Sequence, residues 1–148
     1  MRSKATALNL TRSLMVSLFA AHGAASALAA DVPVVIKDST GASFTGDATA
    51  GQAKFSQCAV CHKLEAGKNG VGPSLYGVFG RKAGTGAGFT YSPAMKKYAV
   101  TWDAQLIADY IENPRAKVPG GKMTYAGMKK PQDRANVVAY LKKASAAK

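Results

Sequence analysis

Two thiols and an imidazole fall within five consecutive residues, Cys58-Ala59-Val60-Cys61-His62. They are both cysteines of the chain and one of its two histidines. A C-x-x-C-H run is the attachment pattern of c-type haem. Two thiols about one helical turn apart each add to one vinyl group of the porphyrin, giving two thioethers. The histidine that follows is then held against the iron as the proximal axial ligand. Other uses of these residue types fit less well. A disulfide is the ordinary fate of a cysteine pair in an exported chain, but here it closes a very small loop and gives His62 no role. A structural zinc site takes four ligands, more than two cysteines and one nearby histidine supply. A thioredoxin-like redox pair needs a strand–helix setting, and strand patterning around Cys58 is weak.

The second axial position of such an iron must be filled from elsewhere in the chain. The other histidine, His22, lies in a leader-like N-terminus, so the thioether sulfurs of Met95, Met123 and Met128 are the candidates. Met123 follows Pro119-Gly120-Gly121, where glycine allows the sharp bends that aim a side chain inward across a cofactor edge. Met95 falls in a helical pattern and Met128 follows another glycine, and packing is the favoured reading for both. Met123 is the preferred sixth ligand on these grounds.

The N-terminus reads as an address. Arg2, Lys4 and Arg12 precede an apolar stretch at residues 14–21, and Ala27-Leu28-Ala29 is a small-x-small cleavage site. Residues 1–29 therefore read as a secretory signal peptide, which implies the periplasm. The alternative is a carrier tethered to the membrane by this segment. Residues 14–30 have no Lys, Arg, Asp or Glu, but the run is short for a span and is weakened by His22-Gly23. Cleavage leaves about 120 of the 148 residues, one small domain. It removes three basic and no acidic residues, taking the formal charge from +12 to +9. Such a surplus steers encounters with acidic partners. No helix-turn-helix, zinc-finger or RNA-recognition pattern accompanies it, which argues against nucleic acid.

Residues 30–45 form a lead-in, with Val32-Pro33-Val34-Val35-Ile36 as a strand or an extended arm. Residues 46–148 form the domain. A first helix is expected over residues 47–62, with Asp47 as N-cap and Gly51 and Phe55 on one face. Residues 66–90 are rich in glycine and read as long loops. Ser92-Pro93 is a cap and first helical position. Thr101 is expected to cap a helix carrying Trp102, Leu106, Ile107, Tyr110 and Ile111 on its apolar side, which Asn113-Pro114 stops. A last helix begins near Pro131, with Asp133 in its first turn and Lys142-Lys143 in its last, matching the helix dipole. The expected class is all-α: several helices with long Gly-rich loops wrapped around one covalently bound haem, since so much loop needs a body to wrap.

With these landmarks in place, the chain resembles the class I cytochromes c, the soluble monohaem carriers of bacteria and mitochondria. The likeness rests on Gly51 and Phe55, the C-x-x-C-H run, Gly72-Pro73, Phe79-Gly80-Arg81-Lys82, Gly88-Phe89-Thr90-Tyr91, Thr101-Trp102, Tyr110, Glu112-Asn113-Pro114, Lys122-Met123, Ala126-Gly127 and Tyr140-Leu141-Lys142-Lys143. It implies the cytochrome c fold and one haem c, with His62 and Met123 as metal ligands. It also implies that the Pro73 carbonyl accepts from the proximal imidazole, an orienting contact typical of metal-bound histidine. Arg81, Tyr91 and Trp102 match groups near a haem propionate, which needs donors if buried. Tyr110 matches a tyrosine beside the methionine sulfur. Gly51 and Phe55 match a contact with Val137 and Tyr140 of the last helix. The sequence departs from relatives at Gly121 (often threonine), Met95 (often asparagine) and Gln57 and Val71 (commonly basic); Arg115, Lys122, Lys129 and Lys130 remain.

The resemblance implies a periplasmic one-electron carrier, not an enzyme, since an iron filled on both sides has no open place for substrate. Expected partners are acidic faces of membrane redox complexes: quinol–cytochrome c reductase, a terminal oxidase or a reaction centre. Periplasmic reductases or dehydrogenases are further candidates. A monomer is expected. The competing function is a haem peroxidase or gas-binding protein, which requires that Met123 not bind.

Overall fold

The structure is a computed structural model that describes residues 33–146. Residues 1–29, read as a signal peptide, lie outside the described residues. Among these, the chain forms a two-stranded sheet and five helices, in the order β1 Val35–Lys37, β2 Ser43–Thr45, α1 Ala48–Ala59, α2 Pro93–Tyr98, α3 Ala104–Glu112, α4 Pro114–Lys117 and α5 Pro131–Ala144.

The helix starts follow local chemistry. The Asp47 carboxylate accepts from Thr49 N at 2.7 Å and Ala50 N at 3.1 Å, satisfying two of the donors that open α1. Ser92 Oγ accepts from Met95 N at 3.1 Å, with Pro93 at the first position of α2. Two boundaries differ from expectation. α1 ends at Ala59, three residues before His62. Cys61 N and His62 N both donate to Cys58 O, closing a turn, and Cys61 O accepts from Gly72 N at 2.9 Å, so the following loop takes over the pairing. The cap of α3 is Asp103, whose carboxylate accepts from Leu106 N at 2.7 Å, and not Thr101. Thr101 is held extended opposite Lys82 in an isolated bridge, which leaves Trp102 ahead of the helix rather than on it.

The central packing is between α1 and α5. A Cβ built on Gly51 would fall on the Asn136 carbonyl, so only glycine permits this crossing. Beside it, the Phe55 and Tyr140 rings meet at a tilt of 55°, 5.2 Å between centroids. Asn136 Oδ1 accepts from Asp47 N at 2.9 Å, tying the α1 cap to α5. α3 packs on the same helix through Ile107, Ala108 and Ile111, which are buried.

The helical class stands, with one small sheet beside the helices. β1 and β2 pair antiparallel, with Ile36 opposite Phe44. Val34 and Ile36 point into the core and are buried, whereas Val35 and Lys37 face solvent, the period-two alternation of a half-buried strand. Gln105 of α3 clasps the hairpin through Lys37, accepting from its N at 2.7 Å and donating to its O at 2.9 Å. The lead-in thus caps the outer side of α3 and α5.

Candidate cofactor site

All nine residues singled out from the sequence line one cavity of about 400 Å³: Cys58, Cys61, His62, Pro73, Arg81, Tyr91, Trp102, Tyr110 and Met123. Its wall is otherwise largely apolar, with Phe55 from α1, Ile107 and Ile111 from α3, and Val137 and Leu141 from α5. Each helix of the central packing therefore turns part of its apolar stripe toward this space as well as toward its neighbours.

Cys58 sits in the last turn of α1, and Cys61 and His62 in the turn that follows. Both thiols are free and half-buried. Burial pushes the Cys58 thiol up to about 11, with Cys61 adding to the shift. The His62 ring reaches back to the 63–75 loop: Nδ1 lies 2.7 Å from the Pro73 carbonyl oxygen. A carbonyl only accepts, so Nδ1 carries the hydrogen and Nε2 carries the lone pair. Burial lowers the pKa of His62, and the Pro73 bond opposes this more weakly. The neutral ring is the form that binds a metal. Gly72 packs flat against the imidazole; a Cβ there would come within 2.8 Å of Nδ1 and 2.9 Å of Nε2.

Across the cavity, Met123 lies on the irregular segment between α4 and α5. Met95, on α2, also lines the cavity, whereas Met128 is buried in the core away from it. The Arg81 guanidinium donates to Tyr76 O and Ser74 O, both at 2.9 Å, which fixes its charge at the wall. Trp102 lies between Tyr98 and Tyr110 in tilted contacts, at 5.9 and 5.3 Å between ring centroids. Phe89 meets Tyr91 edge-on at 4.9 Å. Burial, with a lesser contribution from Tyr98, pushes the Tyr110 hydroxyl up to about 12.

Several contacts that shape the site carried no signal in the sequence. Lys122 Nζ donates to Thr90 O at 3.0 Å, strapping the Met123 segment to one rim. Tyr125 Oη donates to Gln57 Oε1 at 3.0 Å on the other. Arg134 of α5 is buried and donates to Met128 O and Lys129 O at 3.0 and 2.8 Å. Val60 and Val71, 77% and 83% exposed, mark the mouth.

Residues 48–145 match the family model for cytochrome c. The chain belongs to the cytochrome c family. Among curated relatives, it is 54% identical to cytochrome c2 iso-2 of Magnetospirillum fulvum over 88 residues, 60% of this chain and 92% of the relative. It is 54% identical to cytochrome c2 of Rhodoblastus acidophilus over 97 residues, 65% of this chain and 91% of that protein. Among solved structures, cytochrome cH from Methylobacterium extorquens aligns with TM-score 0.63 and 45% identity, covering 66% of this chain and 99% of that one.

Cytochrome c family membership makes the protein an electron carrier and not an enzyme, with one covalently attached haem c. The residues present fit that group. Cys58 and Cys61 offer two free thiols at one wall of an apolar cavity, and a neutral, oriented imidazole stands beside them.

Proposed function

We propose that this cytochrome c is a periplasmic one-electron shuttle whose haem is joined to Cys58 and Cys61 and ligated by His62 and Met123. Residues 1–29 act as a cleaved signal peptide, residues 30–45 as the lead-in and residues 46–148 as the haem domain. The observation that carries the reading is the convergence of both cysteines, His62 and Met123 on one apolar cavity.

When bound, the haem supplies an iron that cycles between ferrous and ferric. The protein's own residues do the rest. Pro73 and Gly72 hold the imidazole plane, and Lys122 and Tyr125 hold the Met123 segment from either side. Methionine sulfur as sixth ligand, with burial, favours the ferrous state and raises the potential. Apolar walls exclude water, so little reorganises when an electron moves. Arg81, Tyr91 and Trp102, all in the cavity wall, would supply the donors that buried propionates need. Lys122, Lys129, Lys130 and Arg115 are exposed and orient acidic partners in fast, salt-sensitive encounters. Quinol–cytochrome c reductase as donor and a terminal oxidase or reaction centre as acceptor fit this chemistry.

Absorption spectra of the purified holoprotein test the reading. The oxidised form is expected to show the far-red band of sulfur coordination, and the ferrous form to resist carbon monoxide. Met123→Leu should abolish the band and admit carbon monoxide, while Met95→Leu keeps both wild-type properties. Ready carbon monoxide uptake by the wild type would instead favour an open-site haem protein.

A further inference from the structure

The segment that carries Met123 is anchored unevenly. Among the described residues, its main-chain hydrogen bonds fall at its two ends, from Gly121 N to Val118 O and from Met128 N to Ile111 O, both 2.8–2.9 Å. The downstream end is further fixed by Arg134, and by Lys129 Nζ, which donates to Glu112 O at 2.8 Å. Between these ends, Met123 depends on side chains.

Two side chains reach out from that stretch. Lys122 reaches Thr90 on the loop rim. Tyr125, two residues beyond Met123, reaches Gln57 in the last turn of α1, the residue directly before Cys58. The Tyr125–Gln57 bond joins residues 68 apart in sequence, and both line the cavity. It spans the mouth from the methionine side to the cysteine side. The ring of Tyr125 is half-buried, whereas Gln57 is exposed. The contact therefore bridges the gap between the Met123 segment and α1 at the edge of the cavity.

We propose that the Tyr125–Gln57 hydrogen bond is a latch that keeps the Met123 segment closed over the haem and so protects the iron–sulfur bond from displacement by external ligands. Tyr125 and Gln57 are positioning residues, acting through Met123. The inference rests on the His62/Met123 ligation proposed above. The latch needs a hydroxyl at residue 125 and an acceptor at residue 57. A basic residue at 57 would offer a donor instead of the carbonyl that receives the tyrosine proton.

The test uses ferric holoprotein and imidazole as the probe, its binding followed by loss of the sulfur-coordination band. Tyr125→Phe keeps the ring and removes the hydroxyl; Gln57→Leu removes the acceptor. An exposed hydrogen bond of ordinary strength predicts that each single variant binds imidazole about three- to tenfold more tightly than wild type. The double variant should bind no more tightly than either single one, because both remove the same bond. Amides of residues 122–127 should exchange faster in all three variants, with the global unfolding midpoint little changed. Unaltered imidazole affinity in either single variant, or effects that add in the double, would overturn the latch while leaving the ligation intact. A wild-type ferric protein lacking the sulfur band would instead overturn the ligation, and the latch with it.

Discussion

His62 Nδ1 and the Pro73 carbonyl oxygen lie 2.7 Å apart, joining the turn after the cysteine helix to a loop eleven residues further on. The bond fixes both the tautomer and the rotation of the ring, so Nε2 is the unprotonated nitrogen with its lone pair available to a metal. Such outer contacts raise ligand basicity and set its direction. The loop that carries Pro73 is itself fastened: Ser74 N donates to Asn69 Oδ1 at 2.9 Å, and Ser74 Oγ to Glu65 O at 2.6 Å. Ligand geometry is thus a property of the loop fold as much as of the motif.

Gly72→Ala tests that dependence. The added methyl group would press on the imidazole, so either the ring or the loop must move. Overpacking of this kind costs about 1–3 kcal/mol. Guanidinium unfolding of the holoprotein should show that loss, and the midpoint potential should shift because the proximal ligand has tilted. A variant with wild-type stability and potential would mean that the loop yields without disturbing His62.

The hairpin should contribute to stability without touching the cofactor. Ile36 is fully buried between β2 and the α3–α5 pair. Ile36→Ala is expected to lower the unfolding free energy by about 2–5 kcal/mol, the range for deleting a buried aliphatic side chain. The absorption spectrum should stay as in wild type. A loss under about 1 kcal/mol would show that the hairpin is only loosely docked.

The contrast between hairpin and motif shows what local sequence makes legible. Cys58, Cys61 and His62 were readable because their spacing is set by the covalent chemistry itself. Asp47, Ser92 and Pro131 were readable because a helix start is a short-range event. β1 was legible only as a strand or an extended arm and β2 not at all, because each strand is three residues long and gains its buried side from α3 and α5, far along the chain. Thr101 and Asp103 are both good caps, and the choice between them is made by Lys82, some twenty residues away. The bond between Tyr125 and Gln57 had no local signal at all. Roles for Arg81, Tyr91, Trp102 and Tyr110 came from family likeness alone, and the cavity brings all four together.

Arg134 should anchor the methionine loop from behind. Its guanidinium is buried, bonded to two loop carbonyls and 3.4 Å from Glu112 Oε2. Removing one partner of a buried ion pair costs about 3–5 kcal/mol, but Glu112 is partly exposed and regains water, so Arg134→Met should cost nearer 2–4 kcal/mol. Chemical unfolding measures that cost. Amide exchange at residues 128–130 should quicken beyond what the global loss explains. Uniform acceleration across all helices would indicate a general core defect and no specific hold on the loop.

Tyr110 gives the fold a dependence on alkaline pH with a definite sign. Its hydroxyl is pushed from 10.0 up to about 12, mainly by burial. Between those values the unfolded chain has released the proton and the folded chain still holds it. Stability therefore falls as pH rises through this window, by at most about 1.4 kcal/mol per pH unit for one proton. Below it, both states are protonated and Tyr110 adds no pH dependence. Tyr110→Phe removes the group that titrates. Guanidinium unfolding at a series of pH values should show the wild type losing stability more steeply than the variant above pH 10, with the sulfur-coordination band followed in both proteins so that ligand exchange is scored separately. Parallel curves would mean that the Tyr110 hydroxyl meets solvent in the folded protein, contrary to its place in the cavity wall beside Trp102.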